Sequence, residues 1–291
     1  MGKWLNDPQA ITFEVRGAVA YVTMNRPEKR NAINNRMMTE LRAAMLEADD
    51  LRAVRCVVLQ GAGKDFCAGY DLAGGYNPNA PPDFDPEQYR GRKNFDDDLW
   101  HLRMSSEMRV LLFDMFKPVI ARVHGNCLAG GTDFALMCDF VIAAHDARIG
   151  FPATRAIGSP ANHMWLYHVG PQWAKRLLCT GDAIRGREAA KIGLVLKSVA
   201  KDRLDDEVAE LARRLCAVDA DLLSAHKRIV NLGMELMGAR TLQRLASEND
   251  GRAHLSNGFK AFFDNVDQYG LKEALKLRDA PFGTGDVEEL E

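Results

Sequence analysis

Apolar and polar positions change rhythm several times along this chain, and each change marks an element. Ile11 to Val15 alternates, Gly17 offers a turn, and Ala18 to Met24 resumes the alternation, which predicts a β-hairpin. From Asn34 to Asp50, Met37, Met38, Leu41, Met45 and Leu46 recur at helical spacing. Arg55 to Gln60 is a short buried strand closed by Gly61-Ala62-Gly63. A helix bridging two strands predicts a parallel pair in a β-α-β unit. Leu99 to Phe116 regains helical period, Phe134 to Met137 begins another helix, and Pro118–Val123, Phe140–Ala144 and Ala147–Gly150 read as strands. Beyond about Gly170 the pattern predicts helices at 171–179, 186–191, 203–217, 219–237, 241–253 and 256–278, the last interrupted at Tyr269-Gly270. An α/β core in residues 1–200 and a mostly helical part in 201–291 follow, with no internal repeat. Residues 73–98, rich in Gly, Pro and Asp, fit neither period and read as an insertion that is either a binding loop or plain disorder.

Composition narrows the classes. With 47% hydrophobic residues in a chain of 291, a substantial core is available. A formal charge of −2 argues against nucleic-acid binding through bulk electrostatics. Six cysteines (Cys56, Cys67, Cys127, Cys138, Cys179, Cys216) carry no zinc spacing and read as free thiols of a reducing compartment. No apolar stretch has the length of a signal or reaches the ~18 residues of a membrane helix, so a soluble cytoplasmic protein is expected. There is no GxSxG element for a serine nucleophile, no GxGxxG after a strand and no metal constellation.

Two glycine-bearing segments follow apolar runs: Asp65-Phe66-Cys67-Ala68-Gly69-Tyr70-Asp71-Leu72 and His124-Gly125-Asn126-Cys127-Leu128-Ala129-Gly130-Gly131-Thr132-Asp133. Both place flexible backbone where a strand gives way to a helix or loop. Main-chain N–H groups at such junctions can hold negative charge developing on an oxygen. Two of them aimed at one point would make an oxyanion hole. The bland alternative is that Gly130-Gly131 only lets a helix pack closely on a strand.

Five motifs in order carry a family resemblance: Asn25-Arg26-Pro27-Glu28-Lys29-Arg30-Asn31-Ala32; Phe66 to Leu72; Lys117-Pro118-Val119-Ile120-Ala121; His124 to Asp139; and Thr180-Gly181-Asp182 with Ala189-Ala190 and Gly193-Leu194-Val195. The chain resembles the crotonase (enoyl-CoA hydratase/isomerase) superfamily. The resemblance implies repeated ββα units, trimers that often pair into hexamers, an acyl-CoA thioester as ligand, and no cofactor beyond the CoA of the substrate. It implies that Tyr70 and Gly130 donate backbone N–H groups to the thioester oxygen. Losing one such donor typically costs ~3 kcal/mol. It also places Lys29, Arg30, Ala32, Ala68, Asp71 and Leu72 along the CoA. Ser256 to Phe263, with Lys260 and Phe262, resembles the segment that often covers the CoA of a neighbouring subunit.

The catalytic pattern departs from the family's. Hydratases of this kind commonly use two glutamates, one three residues after the oxyanion glycine and one about twenty residues later. Asp133 occupies the first position, where the dipole of the helix behind it should keep it ionised. The second falls at Ala153, which cannot move a proton. Candidates for a replacement are His163, Arg155, Tyr167, Asp97 and Asp98, with His163 best suited by intrinsic proton affinity. The leading reading is a hydratase-type acyl-CoA lyase with Asp133 as acid/base. Isomerisation or decarboxylation through the same enolate, and a non-catalytic acyl-CoA binder, stay open beside it.

Overall fold

A computed structural model describes residues 2–72, 85, 88–91 and 94–290. Most of the insertion expected at 73–98 therefore lies outside the described residues.

The hairpin forms as its alternation predicts: β1 (Ile11–Arg16) pairs antiparallel with β2 (Val19–Met24), whose residues alternate buried and half-buried. Helix α1 (Asn35–Asp50) starts where the Asn34 side chain accepts from the Met37 N–H, and buries Met37, Leu41, Ala44, Met45 and Ala48. The chain returns through β3 (Cys56–Gly61), parallel to β2. The Cys-Val-Val-Leu run of β3 is fully buried, as a central parallel strand covered on both faces must be. After α2 (Phe95–Asp114) come β4 (Val119–Val123), the short β5 (Asn126–Leu128) and α3 (Gly130–Ala135). Then follow β6 (Phe140–Ala144), β7 (Arg148–Gly150) and α4 (Trp165–Thr180). Inside α4, Gly170 (φ 70°) breaks the helix ahead of Pro171. The remaining elements are β8 (Ala183–Arg185), α5 (Gly186–Lys191), β9 (Lys197–Val199), α6 (Leu204–Cys216), α7 (Ala220–Leu236), α8 (Ala239–Ala253), α9 (Asn257–Tyr269) and α10 (Leu271–Asp279).

Six strands form one sheet in the order β1-β2-β3-β4-β6-β9, parallel throughout except for the first hairpin. A second sheet of three short strands, β5-β7-β8, lies beyond it. The main core fills the space between the large sheet, α1, α2, α3, α4 and α6. A smaller apolar cluster of Ile157, Phe259, Phe262, Phe263 and Ala274 belongs to the C-terminal helices. Gly270, at φ 79°, makes the break expected between α9 and α10. Four of the cysteines are buried and all six are free. No helix among the described residues is long and apolar enough to cross a membrane.

Candidate active site

The first glycine segment is held from both sides. Phe66 and Cys67 donate to the carbonyls of His124 (2.8 Å) and Asn126 (2.9 Å), and Leu128 donates to the Cys67 carbonyl at 2.9 Å. On the other side Ile33 donates to the Gly69 carbonyl at 2.8 Å and Asp71 donates to the Ile33 carbonyl at 2.9 Å. In such a parallel bridge the residue between, Tyr70, turns its own N–H away from Ile33. Asn31, in the left-handed region at φ 56°, buttresses the turn by donating to the carbonyls of Ala62 (2.9 Å) and Asp65 (2.8 Å).

The second segment approaches the first at Gly69. A Cβ at that position would lie 3.3 Å from the Leu128 carbonyl oxygen and 3.7 Å from the Gly130 nitrogen. Gly69 also has φ +114°, which side chains rarely adopt. Ala129 sits at φ 47°, ψ −118°, an unfavourable conformation for a residue with a Cβ, and turns the chain abruptly into α3. The N–H groups of Thr132 and Asp133 fold back onto the Ala129 carbonyl. Among the described residues the Gly130 N–H donates no hydrogen bond, as befits the first turn of a helix.

The Tyr70 ring lies flat against Gly130, where an added Cβ would stand 2.9–3.0 Å from ring atoms. Its hydroxyl donates to Asp133 Oδ2 at 2.6 Å and accepts from Arg109 Nη1 at 2.7 Å. Arg109, fully buried on α2, also donates to Ser105 Oγ at 3.0 Å and to Asn162 Oδ1. Asn162 donates in turn to Ser106 Oγ at 3.0 Å. Asp133 is only 2% exposed, and burial pushes its pKa up to about 6 against the opposing charge of Arg109 and the Tyr70 hydrogen bond. With its pKa at about 6, Asp133 still carries its charge near neutrality. Asp133 is not exposed to the cavity; the Tyr70 side chain stands in front of it.

That cavity holds about 530 Å³ and is lined by Tyr70 together with Lys29, Arg30, Ala32, Ala68, Asp71 and Leu72, so the segments matched to CoA contacts share one space. Asp71 is fixed there by Arg26 at 2.9 Å. Ala153 lines the same cavity. Leu271, Leu275 and Arg278 of α10 close it, so the C-terminal helices cover their own chain's cavity. Phe262 is not at the cavity surface: it is 3% exposed, packed edge-on against Phe263 at 5.3 Å between ring centres. Lys260 points to solvent from α9.

The replacement candidates separate clearly. His163 does not line the cavity; its backbone N–H donates to Gln243 at 2.7 Å, its Nδ1 is buried without a partner among the described residues, and burial lowers its pKa. Arg155 is locked by Asp182 and Asp279, both at 3.0 Å, and by the Thr180 carbonyl at 3.0 Å. Tyr167 donates to the Met237 carbonyl at 3.2 Å, and Asp97 caps α2 with Asn94. Asp98 alone reaches a proton-carrying partner, His254, at 2.6 Å. Sequence reasoning missed Arg109, Asn162, Asp250 and His254. One signal was available for Arg109: it falls on the stripe Leu102-Ser105-Arg109-Leu112, where a helix facing the core should be apolar.

Strand order, roofed cavity and the paired glycine turns define a crotonase-type acyl-CoA fold. The enoyl-CoA hydratase/isomerase family model matches residues 14–267. A crotonyl-CoA hydratase of Syntrophomonas wolfei is 34% identical over 77% of this chain and 82% of its own length. A probable enoyl-CoA hydratase of Rhizobium meliloti is 32% identical over 81% of this chain and 86% of its own. The crystal structure of an enoyl-CoA hydratase/isomerase from Xanthobacter autotrophicus Py2 superposes with a TM-score of 0.86 at 33% identity, covering 95% of this chain and 99% of that one. The chain belongs to the enoyl-CoA hydratase/isomerase family, whose members act on acyl-CoA thioesters.

Proposed function

We propose that this protein is an enzyme that adds water across the 2,3 double bond of a 2-enoyl-CoA, or removes it from the 3-hydroxyacyl-CoA. The observation that carries this reading is the contact of the Gly69-Tyr70 and Ala129-Gly130 turns beside a buried, proton-carrying Tyr70–Asp133 pair. With the thioester oxygen held by the Tyr70 and Gly130 N–H groups, the π electrons of the enoyl group move onto that oxygen as water bonds to C3. The attacking water gives a proton to the Tyr70 oxygen while the phenolic proton passes to Asp133. An ionised Asp133 with a pKa of about 6 is a competent acceptor near neutrality. Lys29 and Arg30 at the cavity wall supply charge suited to the CoA phosphates. The hydratase names of the relatives point the same way.

No cofactor beyond the CoA of the substrate is required. A cytoplasmic trimer, or a dimer of trimers, is the assembly we propose; the exposed apolar residues Ile229, Val230, Leu232 and Leu236 of α7 suit a subunit contact. The test is a panel of 2-enoyl-, 3-enoyl- and malonyl-type CoA thioesters followed by mass spectrometry. Water addition to a 2-enoyl-CoA is expected. Isomerisation of a 3-enoyl-CoA or loss of CO₂ without hydration would select the other enolate chemistries, and tight CoA binding with no turnover would select a non-catalytic role.

A further inference from the structure

Hydration needs a second proton, delivered to C2, and Ala153 cannot provide it. The cavity that Tyr70 and Ala153 line is also lined by Asp250 of α8 and by His254, the residue that caps its C-terminus one turn on. His254 stands between two carboxyls: Nδ1 lies 2.6 Å from Asp98 Oδ2 of α2, and Nε2 lies 3.6 Å from Asp250 Oδ1. The Phe259 ring of α9 packs on the imidazole with centres 4.7 Å apart. Asp250 is set by the turn that follows Ala153. The N–H groups of Ile157 and Gly158 fold back on the Ala153 carbonyl at 2.7 and 3.1 Å, and the next N–H, that of Ser159, donates to Asp250 Oδ1 at 2.8 Å. Gly158 has no room for a Cβ because that same oxygen occupies the space.

We propose that Asp250, oriented by His254 and Asp98, is the second proton-transfer group of this site and stands in for the carboxyl that Ala153 lacks. The assignment rests on the hydration reading above. α8 brings the acid from a distant part of the chain to the turn that would otherwise have carried it. Water bonds to C3 and yields its proton to Tyr70–Asp133, and the enolate electrons return to form the bond between C2 and the proton that Asp250 releases. The pair begins with one proton on Asp250 and ends with one on Asp133, so atoms and charge balance.

Burial supports this division. It raises Asp250 to about 7 and Asp133 to about 6, and the negative charge of Asp133 adds to the upward shift of Asp250. The charged groups that face Asp250 are His254 and Asp98 close by and Asp133 further off. On the cavity wall Arg155 and Arg278 are both engaged with Asp279. A metal does not explain the cluster: among the described residues no group of three His, Cys, Asp or Glu side chains is placed to hold one. A purely structural tie between α8 and the loop is the remaining alternative, and kinetics separates it.

The experiment compares wild type with D250N, D250E and H254Q, measuring hydration of crotonyl-CoA and dehydration of 3-hydroxybutyryl-CoA across pH ~5–9, with solvent-deuterium incorporation at C2. Because the reaction has no net proton change, wild type should give the same bell-shaped kcat/KM profile in both directions. D250N is expected to lose ~10²–10⁴ in kcat with KM within ~3-fold, to lose the alkaline limb, and to stop C2 exchange. D250E should recover part of the rate, and H254Q should displace the alkaline limb. A D250N enzyme with wild-type kcat and both limbs overturns the assignment. If D250N does not fold, unchanged profiles in both D250E and H254Q overturn it equally. A wild type that adds water to no 2-enoyl-CoA sinks the hydration reading and this assignment together, a pattern distinct from an active D250N.

Discussion

Tyr70 performs two tasks with different atoms of one residue. Its main chain belongs to the glycine turn proposed to hold the thioester oxygen, and its ring, laid on Gly130, carries a hydroxyl between Asp133 and Arg109. Tyr70→Phe keeps the ring and the backbone and removes only the hydroxyl proposed to relay the proton. We expect kcat for hydration to fall ~10²-fold or more with CoA affinity nearly unchanged, measured by steady-state kinetics beside calorimetric binding. Asp133→Ala should abolish turnover with the same retained affinity; a wild-type rate in that variant would remove Asp133 from the mechanism. The raised carboxyls also set a stability trend. A folded pKa above the unfolded value means that protonation is easier in the folded state, so stability is greatest below about pH 4 for these two groups and is lost as pH rises through 6 to 7. Asp250→Asn should therefore raise the melting temperature relative to wild type, by an increment that grows from pH ~4 to ~7 and then levels off. An increment that is flat with pH would show that Asp250 is not strained by its burial.

At the scale of elements, the chain's periodicities were informative where length gave them statistical weight. The hairpin, α1 and the run from α6 to α10 could be read because each repeats its period several times, β3 because it is an unbroken apolar run, and the interruption at Tyr269-Gly270 needed only a glycine at φ 79°. Of the four described three-residue strands only β7 was read; β5, β8 and β9 complete no more than one alternation, and only the neighbouring strands decide that they pair. Helix α2 begins at Phe95, ahead of its apolar repeat, because Asn94 accepts from the Asp97 N–H and three aspartates fill the first turn. The site shows the same division. Tyr70, Gly130 and Asp133 lie in contiguous motifs and were legible; Arg109, Asp250 and His254 reach the site only because helices distant in sequence pack together. A prediction at this level concerns Gly69. Its alanine variant would press a methyl to within 3.1 Å of Ala129 and strain a backbone at φ +114°. We expect a loss of ~10²-fold or more in kcat together with a lowered melting temperature, because the two turns must separate. An alanine variant with native kinetics would mean that their contact is incidental.

For the whole molecule, the arrangement of the roof is the decisive feature. Arg155, two residues after the vacant Ala153 position, grips Asp182 on one side and Asp279 of α10 on the other, and stacks over Phe282 at 4.1 Å. The end of the chain is sewn in as well: Val287 donates to the Ala183 carbonyl at 2.7 Å and Asp286 pairs with Arg185 at 2.8 Å. Floor, wall and roof of the described cavity thus come from one polypeptide. When inactive Asp133→Asn chains are co-assembled with normal ones, output should track the share of normal chains in a straight line. A downward bend in that line would show that a neighbouring copy contributes to the cavity described from one chain.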